Sequence, residues 1–293
     1  MSAVRIEDLS RLRPVDVELG RRQRRKKIVR GSLVALCLLY LGALVLLPLG
    51  AIVWTAVKPG WSTIVETFSA ADVRHAFYLT VVIAIQTVLV CATLGAITAW
   101  VLVRHRFVGR RLMNALVDLP LAVSPVTVGI MAVILFGRGG WFESWFTARG
   151  IQIVFALPSM VLVTIFICLP FVVRSIAPVL EELGTEEEDA ARTLGASSLQ
   201  TLFRVVVPNI RWGLLYGIAL TTARAIGEIG AVYIVSGVLK GQTETATIYI
   251  LTAFEERQDA QGNIVALTLA AVSIVLLIGI EISKRRRIRE VQG

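Results

Sequence analysis

The chain alternates between long apolar stretches and shorter polar connections. A helix that crosses a bilayer needs about 20 mostly apolar residues. Six stretches meet this requirement: 31–57, 77–103, 113–137, 151–173, 212–238 and 263–283. Because backbone amides find no water partner in lipid, each stretch is expected to be helical. The pattern predicts an all-α integral membrane protein with six transmembrane helices.

The composition supports this interpretation. Of the 293 residues, 56% are hydrophobic and only 17% are charged, whereas a soluble domain has about 25% charged residues. Disordered chains, disulfide-rich secreted scaffolds and most cytosolic enzymes are thereby excluded. The first stretch exceeds the roughly 7–15 apolar residues of a signal peptide, and no A-x-A cleavage site follows it. It is therefore expected to remain in the mature protein.

The positive charges predict the orientation in the membrane. The net charge is +9, and 23 Lys and Arg residues lie in the two tails and in connections 104–111 and 174–211, against six in the alternate connections. Cytoplasmic loops contain the excess of Lys and Arg. Both termini are therefore expected in the cytoplasm, and the basic excess is interpreted as a topology signal, with no nucleic-acid partner.

The connection 174–211 is predicted to begin with a short helix. Thr185 and Glu188 have the T-x-x-E spacing of a capping box, which marks a helix N-terminus. Gly195 is expected to end this helix, because glycine readily takes a positive φ. Between these ends lie Asp189, Ala190 and Ala191.

A second short helix is predicted from Ser197, which forms another capping box with Gln200. Pro208 is expected to end it, because proline lacks an N–H donor. Its i, i+3, i+4 and i+7 positions form an apolar stripe: Leu199, Leu202, Phe203 and Val206. The unit is either a hairpin packed on the membrane or a docking element for another protein, and the stripe favours docking.

This connection resembles the EAA loop of ABC importer permeases. That pattern is E-A-A, three residues, G, nine residues and I-x-L-P, and here it is Asp189-Ala190-Ala191, then Gly195, then Val205-x-Val207-Pro208. Asp replaces Glu, and Val replaces Ile and Leu. Segments 181–188, 208–217 and 223–232 are also similar to the W-type subunit of sulfate/thiosulfate importers.

The resemblance implies a fold and partners. The fold is the type I ABC importer permease fold. The implied partners are a T-type permease in a heterodimer, two ATP-binding subunits, an extracytoplasmic sulfate-binding protein and membrane lipid. ATP and Mg would be bound by the ATPase, with no cofactor in this chain, which lacks G-x-x-x-x-G-K-[ST] and is expected to be a transport subunit without enzymatic activity.

The resemblance also implies that the chain lies in a bacterial cell membrane and is organised into distinct parts. The expected parts are a tethering helix, 31–57, and a five-helix permease core, 77–283, which contains the coupling loop 174–211. The basic cytoplasmic tail, 1–30, lies outside the resemblance and is particular to this chain. The residues expected to couple the chain to the ATPase are Glu188, Asp189, Ala190, Ala191, Gly195, Leu199, Leu202, Phe203 and Pro208.

Asp118, Arg224 and Glu228 fall inside predicted spans, where a charge costs roughly 2.5 kcal/mol or more. Arg224 and Glu228 are four residues apart and can pair on one helix face. They either line the permeation path, where Arg224 offsets the anion and Glu228 holds the arginine, or form a structural salt bridge. Asp118 is expected to have a structural role at a helix end.

The substrate is predicted to be sulfate or thiosulfate, moved inward by alternating access that a separate ATPase drives. A permease for molybdate, tungstate or phosphate is the first alternative, since no residue reads the anion directly. A six-span membrane enzyme or receptor is the second.

Overall fold

The computed structural model describes the backbone of residues 6–292 and the side chains of residues 29–276, 278 and 279. Residues 1–5 of the predicted tail, and the basic side chains of 5–27 and 284–289, lie outside this description. The described backbone contains thirteen α-helices, one π-helical turn and no strand. It divides into two units, Met1–Trp54 and Thr55–Gly293.

The helices follow one another with short connections. Their bounds are α1 Ile6–Val57, α2 Trp61–Ser69, α3 Ala71–Arg104, α4 Arg110–Ala122, α5 Pro125–Phe136, α6 Glu143–Thr147, α7 Leu157–Leu183, α8 Glu186–Thr193, α9 Ser198–Thr201, α10 Val207–Ile226, α11 Gly230–Ser236, α12 Ala246–Glu255 and α13 Asp259–Gln292. The π-helical turn, Leu202–Val206, joins α9 to α10.

The first unit consists of most of α1. The described helix α1, Ile6–Val57, includes the predicted tethering helix 31–57. Its large apolar side chains between Leu33 and Leu47 are exposed within this chain. Such a surface is expected of a helix that faces lipid or another protein.

Among the described residues, four helices are long and apolar enough to cross a membrane: Val29–Val57, Ala71–Arg104, Leu157–Leu183 and Asp259–Leu276. Two further candidates are bent pairs, α4 with α5 at 112° and Ser198–Ile226 with α11 at 53°. The first bend is explained by Pro125, which forces Ser124 into an extended conformation with ψ 135°. With each bent pair taken as one span, the total is the six crossings that the sequence predicts.

Helix α7 lies at the centre of the second unit and packs against α3, α10 and α4. Its buried face includes Met160, Ile167, Val172, Ile176 and Leu180. Close approach depends on glycine: a Cβ on Gly95 of α3 would lie 2.7 Å from Val172 Cγ1, and one on Gly217 of α10 would lie 3.0 Å from Val172 Cα. These distances leave no room for a larger residue, so both neighbouring helices approach α7 at a glycine.

Some predicted boundaries are wrong. The fourth span begins at Leu157 instead of residue 151 and continues to Leu183, so the predicted loop 174–211 starts inside a helix. It also ends inside one, because α10 begins at Val207. The remaining connection, 184–206, is therefore short, and α12 adds an apolar helix that was not predicted.

Candidate functional site

The connection between α7 and α10, residues 184–206, is here called the connector. It consists of α8, a bend at Gly195, α9 and the π-helical turn. Gly195 has φ +87°, as predicted for the residue that ends α8. Its N–H donates to the Arg192 carbonyl at 2.9 Å, and the Ala196 N–H donates to the Ala191 carbonyl at 3.0 Å. This is the Schellman pattern, which closes a helix at a left-handed glycine.

The second capping box is confirmed. The Ser197 hydroxyl accepts from the Gln200 N–H at 3.3 Å, and the Gln200 side chain accepts from the Ser197 N–H at 2.9 Å. The two turns of the chain on either side of Gly195 are therefore fixed by local hydrogen bonds. The bend therefore has a defined backbone conformation, unlike an open loop.

Pro208 does not end the second helix, which is a correction to the prediction. The chain remains helical from Ser198 through the π-helical turn into α10, where Pro208 lies in the first turn. Proline lacks the N–H that a regular helix interior would use, so it is best accommodated where the i→i−4 ladder of hydrogen bonds is interrupted. The wider π-helical turn before it shifts the carbonyl ladder and makes room for the ring. The connector is thus continuous with a membrane helix.

The predicted apolar stripe divides into two rows. Leu202 and Val206 are buried, with 4% and 2% exposure, and pack in the core with Leu180 and Ile210 of α7 and α10. Leu199 and Phe203 form the second row and are 67% and 62% exposed. One row holds the connector to the membrane helices, and the other remains available for a partner.

The prediction of a capping box at Thr185 and Glu188 is wrong, because the Thr185 side chain makes no hydrogen bond to the start of α8. Glu188 turns away from its own helix and is buried at 4% exposure. Its Oε1 accepts from Arg104 Nε at 2.6 Å, and its Oε2 accepts from Trp100 Nε1 at 3.1 Å. Arg104 also donates to the Gly184 carbonyl. The last turn of α3 therefore holds α8 through Glu188. The contacts of Glu188 with Arg104 and Trp100 are here called the Glu188 anchor.

Sequence reasoning did not find Arg104 and Trp100, although a signal was present. The two residues are four apart at the end of a span, so they share a helix face. The other predicted coupling residues lie around the anchor. Asp189 and Ala190 are exposed, Ala191 is half-buried, and Pro208 is exposed where α10 begins.

The Arg224–Glu228 pair is confirmed, with Arg224 Nη1 and Glu228 Oε2 at 2.5 Å. Glu228 lies in the break between α10 and α11, and its Oε1 accepts from the Ala231 N–H at 3.0 Å. Its carboxylate thereby satisfies the N-terminal turn of α11, where negative charge is favoured. The Glu228 side chain is 1% exposed and the Arg224 side chain is 32% exposed. The buried Glu228 carboxylate thus fixes the Arg224 guanidinium, while part of the Arg224 side chain remains exposed.

The connector and this charged pair lie at opposite ends of α10. A helix rises about 1.5 Å per residue, which separates Pro208 from Arg224 by roughly 24 Å. Asp118, by contrast, joins two helices. Arg174 Nε of α7 donates to its Oδ1 at 2.8 Å, and Arg174 Nη2 donates to Asn114 Oδ1 of α4 at 3.0 Å. Its structural role is therefore an interhelical ion pair.

Known proteins resemble this chain over most of its length. The chain is 45% identical over 258 residues to the sulfate transport system permease protein CysW of Synechocystis sp., which covers 88% of this chain and 94% of that one. It is 34% identical over 256 residues to the sulfate transport system permease protein CysT of Escherichia coli (strain K12), with 87% and 92% covered. These relatives confirm the resemblance to sulfate permeases.

The fold has a solved counterpart in a bacterial alginate ABC transporter in complex with an alginate pentasaccharide-bound periplasmic protein. The TM-score is 0.74 at 16% identity, with 92% of this chain and 97% of that chain covered. At this identity the likeness shows the fold, which confirms the predicted permease architecture. Residues 91–289 also match the family described as binding-protein-dependent transport system inner membrane component. The chain therefore belongs to that family of multi-pass membrane proteins, with the fold of an ABC importer permease.

Proposed function

We propose that the chain is a permease subunit of an ATP-driven sulfate importer, with thiosulfate as a second substrate. Its relatives named CysW and CysT support sulfate as the substrate. They also support a heterodimer of this chain with a T-type permease. The distribution of Lys and Arg supports termini and a connector on the cytoplasmic side.

The observation that carries the proposal is the geometry of the connector. The Schellman bend and the Glu188 anchor fix its shape, while Leu194, Leu199 and Phe203 remain exposed. Burial of one such side chain contributes about 1.5–3 kcal/mol. A rigid bend that presents three of them favours a protein partner over water. One of the two ATP-binding subunits, which would hold ATP and Mg, is the proposed occupant of this surface in the assembled importer.

The connector offers a direct route from the ATPase to the membrane. It passes into α10 without a break in helical structure, and Glu188 ties α8 to the end of α3. A displacement of the connector would therefore move two spans together. Such a rigid-body movement fits alternating access, in which ATP-driven closure exposes the path to the outside, where a sulfate-binding protein would deliver the anion.

Arg224 is the proposed contact for the anion. Its partly exposed side chain can meet a sulfate oxygen, while buried Glu228 offsets the charge and holds the side chain in place. An uncompensated arginine in a low-dielectric path would bind a dianion too tightly to release it. The compensated pair would lower the barrier to the anion without trapping it.

The test of the proposal combines uptake with assembly. In cells that express the whole importer, Phe203→Asp should abolish uptake of radiolabelled sulfate and lower the amount of ATP-binding subunit that co-purifies, because a charge replaces an apolar contact in this chain while the T-type permease keeps its own contact. Val29→Asp, at another exposed apolar position near the side predicted to be cytoplasmic, is the matched control and should retain both. Normal co-purification and uptake with Phe203→Asp would contradict the docking surface.

Competition identifies the substrate in the same cells. Unlabelled sulfate and thiosulfate should reduce uptake of labelled sulfate, whereas molybdate, tungstate and phosphate should not at equal concentration. Uptake of labelled molybdate with no uptake of sulfate would contradict the substrate while leaving the coupling surface unaffected.

A further inference from the structure

A basic cavity lies where α3 ends and α4 begins, away from the connector. It has a volume of about 620 Å³ and is bounded by these two helices and α7. Four arginines line it: Arg106, Arg110, Arg111 and Arg174. Glu181 is the acidic residue among its lining residues, so positive charge predominates.

Three of these arginines have no side-chain partner in the described part of the chain. Arg174 is held by Asp118 and Asn114, but no ion pair or hydrogen bond to a described side chain occupies Arg106, Arg110 or Arg111. The orientation in the membrane requires positive charges on the cytoplasmic side, but it does not require that they line one cavity. Their convergence indicates an anionic ligand.

The backbone adds donors at the same place. Gly109, with φ +95°, precedes α4 and provides no side-chain cap. The Met113 N–H donates to the Gly109 carbonyl, but the N–H groups of Arg111 and Leu112 have no acceptor within the described backbone. A helix N-terminus with free amides favours an anion, and arginine forks match the oxygens of a phosphate.

The surroundings of the cavity favour an amphiphilic ligand. Leu102, Val103 and Phe107 form part of its wall, and the apolar side chains of Val108 and Leu112 are exposed beside it. A free inorganic anion would gain nothing from this apolar surface. A lipid would place its headgroup among the arginines and its acyl chains along the exposed apolar side chains.

We propose that this cavity binds the phosphate of an anionic phospholipid, with the guanidinium groups of Arg106, Arg110 and Arg111 as its ligands. The lipid would join the start of α4 to α3 and α7 at the membrane surface. This inference goes beyond the proposed function, because it concerns a bound lipid and holds whichever anion is transported.

The test is native mass spectrometry of the assembled transporter in detergent with equal amounts of phosphatidylglycerol and phosphatidylcholine. The unmodified protein should retain phosphatidylglycerol. Arg110→Gln with Arg111→Gln should weaken retention roughly thirtyfold, since each basic residue near an anionic lipid contributes about fivefold. Arg30→Gln with Arg211→Gln removes the same charge outside both the cavity and the connector and should leave retention unchanged.

A third variant separates loss of charge from misfolding. Arg110→Lys with Arg111→Lys keeps the charge and should keep most of the phosphatidylglycerol, in complexes that contain the same subunits. Equal retention by the Gln and control variants, or loss from the Lys variant, would overturn the proposal. Inorganic phosphate is titrated in parallel, and displacement of the lipid by phosphate at equal concentration would assign the cavity to a free anion instead.

Discussion

The Glu188 anchor predicts a strong energetic coupling between two residues that are distant in sequence. The perturbations are Arg104→Met and Glu188→Gln, separately and together. The side chains of Arg104 and Glu188 are 8% and 6% exposed, so either single change leaves a buried charge without its partner. Loss of one partner from a buried ion pair costs about 3–5 kcal/mol. Each single variant should therefore destabilise α8 by about 3 kcal/mol.

The double variant should cost far less than the sum of the single ones. It removes both charges, and the Gln side-chain carbonyl still provides an acceptor for Trp100 Nε1, which donates to Glu188 Oε2 at 3.1 Å. The remaining losses are the Arg104 bond to the Gly184 carbonyl and some packing. We expect a coupling energy of about 3 kcal/mol, at the upper end of measured pairwise couplings.

The assay is hydrogen exchange of the backbone amides of residues 186–194 in the assembled transporter. Exchange reports the free energy of local opening. A loss of about 3 kcal/mol should therefore accelerate exchange roughly a hundredfold in each single variant, with most of the protection restored in the double variant. Sulfate uptake, measured in parallel, should fall and recover in the same order.

A second ion pair on the same helix provides the matched control. Arg192 Nη1 lies 3.7 Å from Asp189 Oδ1, and both side chains are largely exposed. Exposed pairs contribute about 0.2–1 kcal/mol, so Arg192→Met should change exchange by less than about fivefold. Additive effects of Arg104→Met and Glu188→Gln, or single effects no larger than that of the control, would refute the anchor.

Three further predictions concern the bend, the charged pair and the interhelical pair. Gly195→Ala should accelerate exchange in α8, because a left-handed conformation costs a non-glycine residue about 1–2 kcal/mol. A steric clash would not contribute, since no atom lies within 4 Å of the new Cβ. Gly195→Asn should cost less, because asparagine tolerates this conformation. Arg224→Gln should abolish sulfate uptake at an unchanged membrane level by leaving Glu228 unpaired, whereas Arg224→Lys should retain part of it; normal uptake by Arg224→Gln would remove the pair from the path. Asp118→Asn should lower thermal stability by about 1 kcal/mol or less, since both side chains of the Arg174–Asp118 pair are about 40% exposed, and a loss several times larger would contradict this estimate.

The features that the sequence predicted correctly depend on residues close together in the chain. The bonds that close α8 run from Gly195 and Ala196 to residues three and five positions earlier, respectively. The Ser197–Gln200 box and the Arg224–Glu228 pair span three and four positions. Local spacing determines whether these atoms can meet, so a pattern is sufficient. The six apolar stretches were predictable for a similar reason, since span length is set by bilayer thickness.

The incorrect predictions concern features that depend on packing. The spacing of Leu199, Leu202, Phe203 and Val206 is typical of one helix face. The π-helical turn and the contact with α7 and α10 bury one row and leave the other exposed. Pro208 is a helix breaker in isolation, but it falls in a first turn that follows a widened one. Neither outcome can be read from a short segment, because both are determined by the neighbouring spans.

Glu188 shows how a correct local pattern can indicate the wrong partner. The T-x-x-E spacing offers its carboxylate a neutral backbone N–H, whereas the fold offers an arginine 84 residues earlier in the chain. The arginine adds the attraction of an opposite charge, which is strengthened where both side chains are buried, so the arginine is preferred. The consequence is mechanical, because α8 is held by α3 and not by its own first turn. A force on the connector must then either move α3 with it or break a buried ion pair, and the cost of the second outcome favours the first.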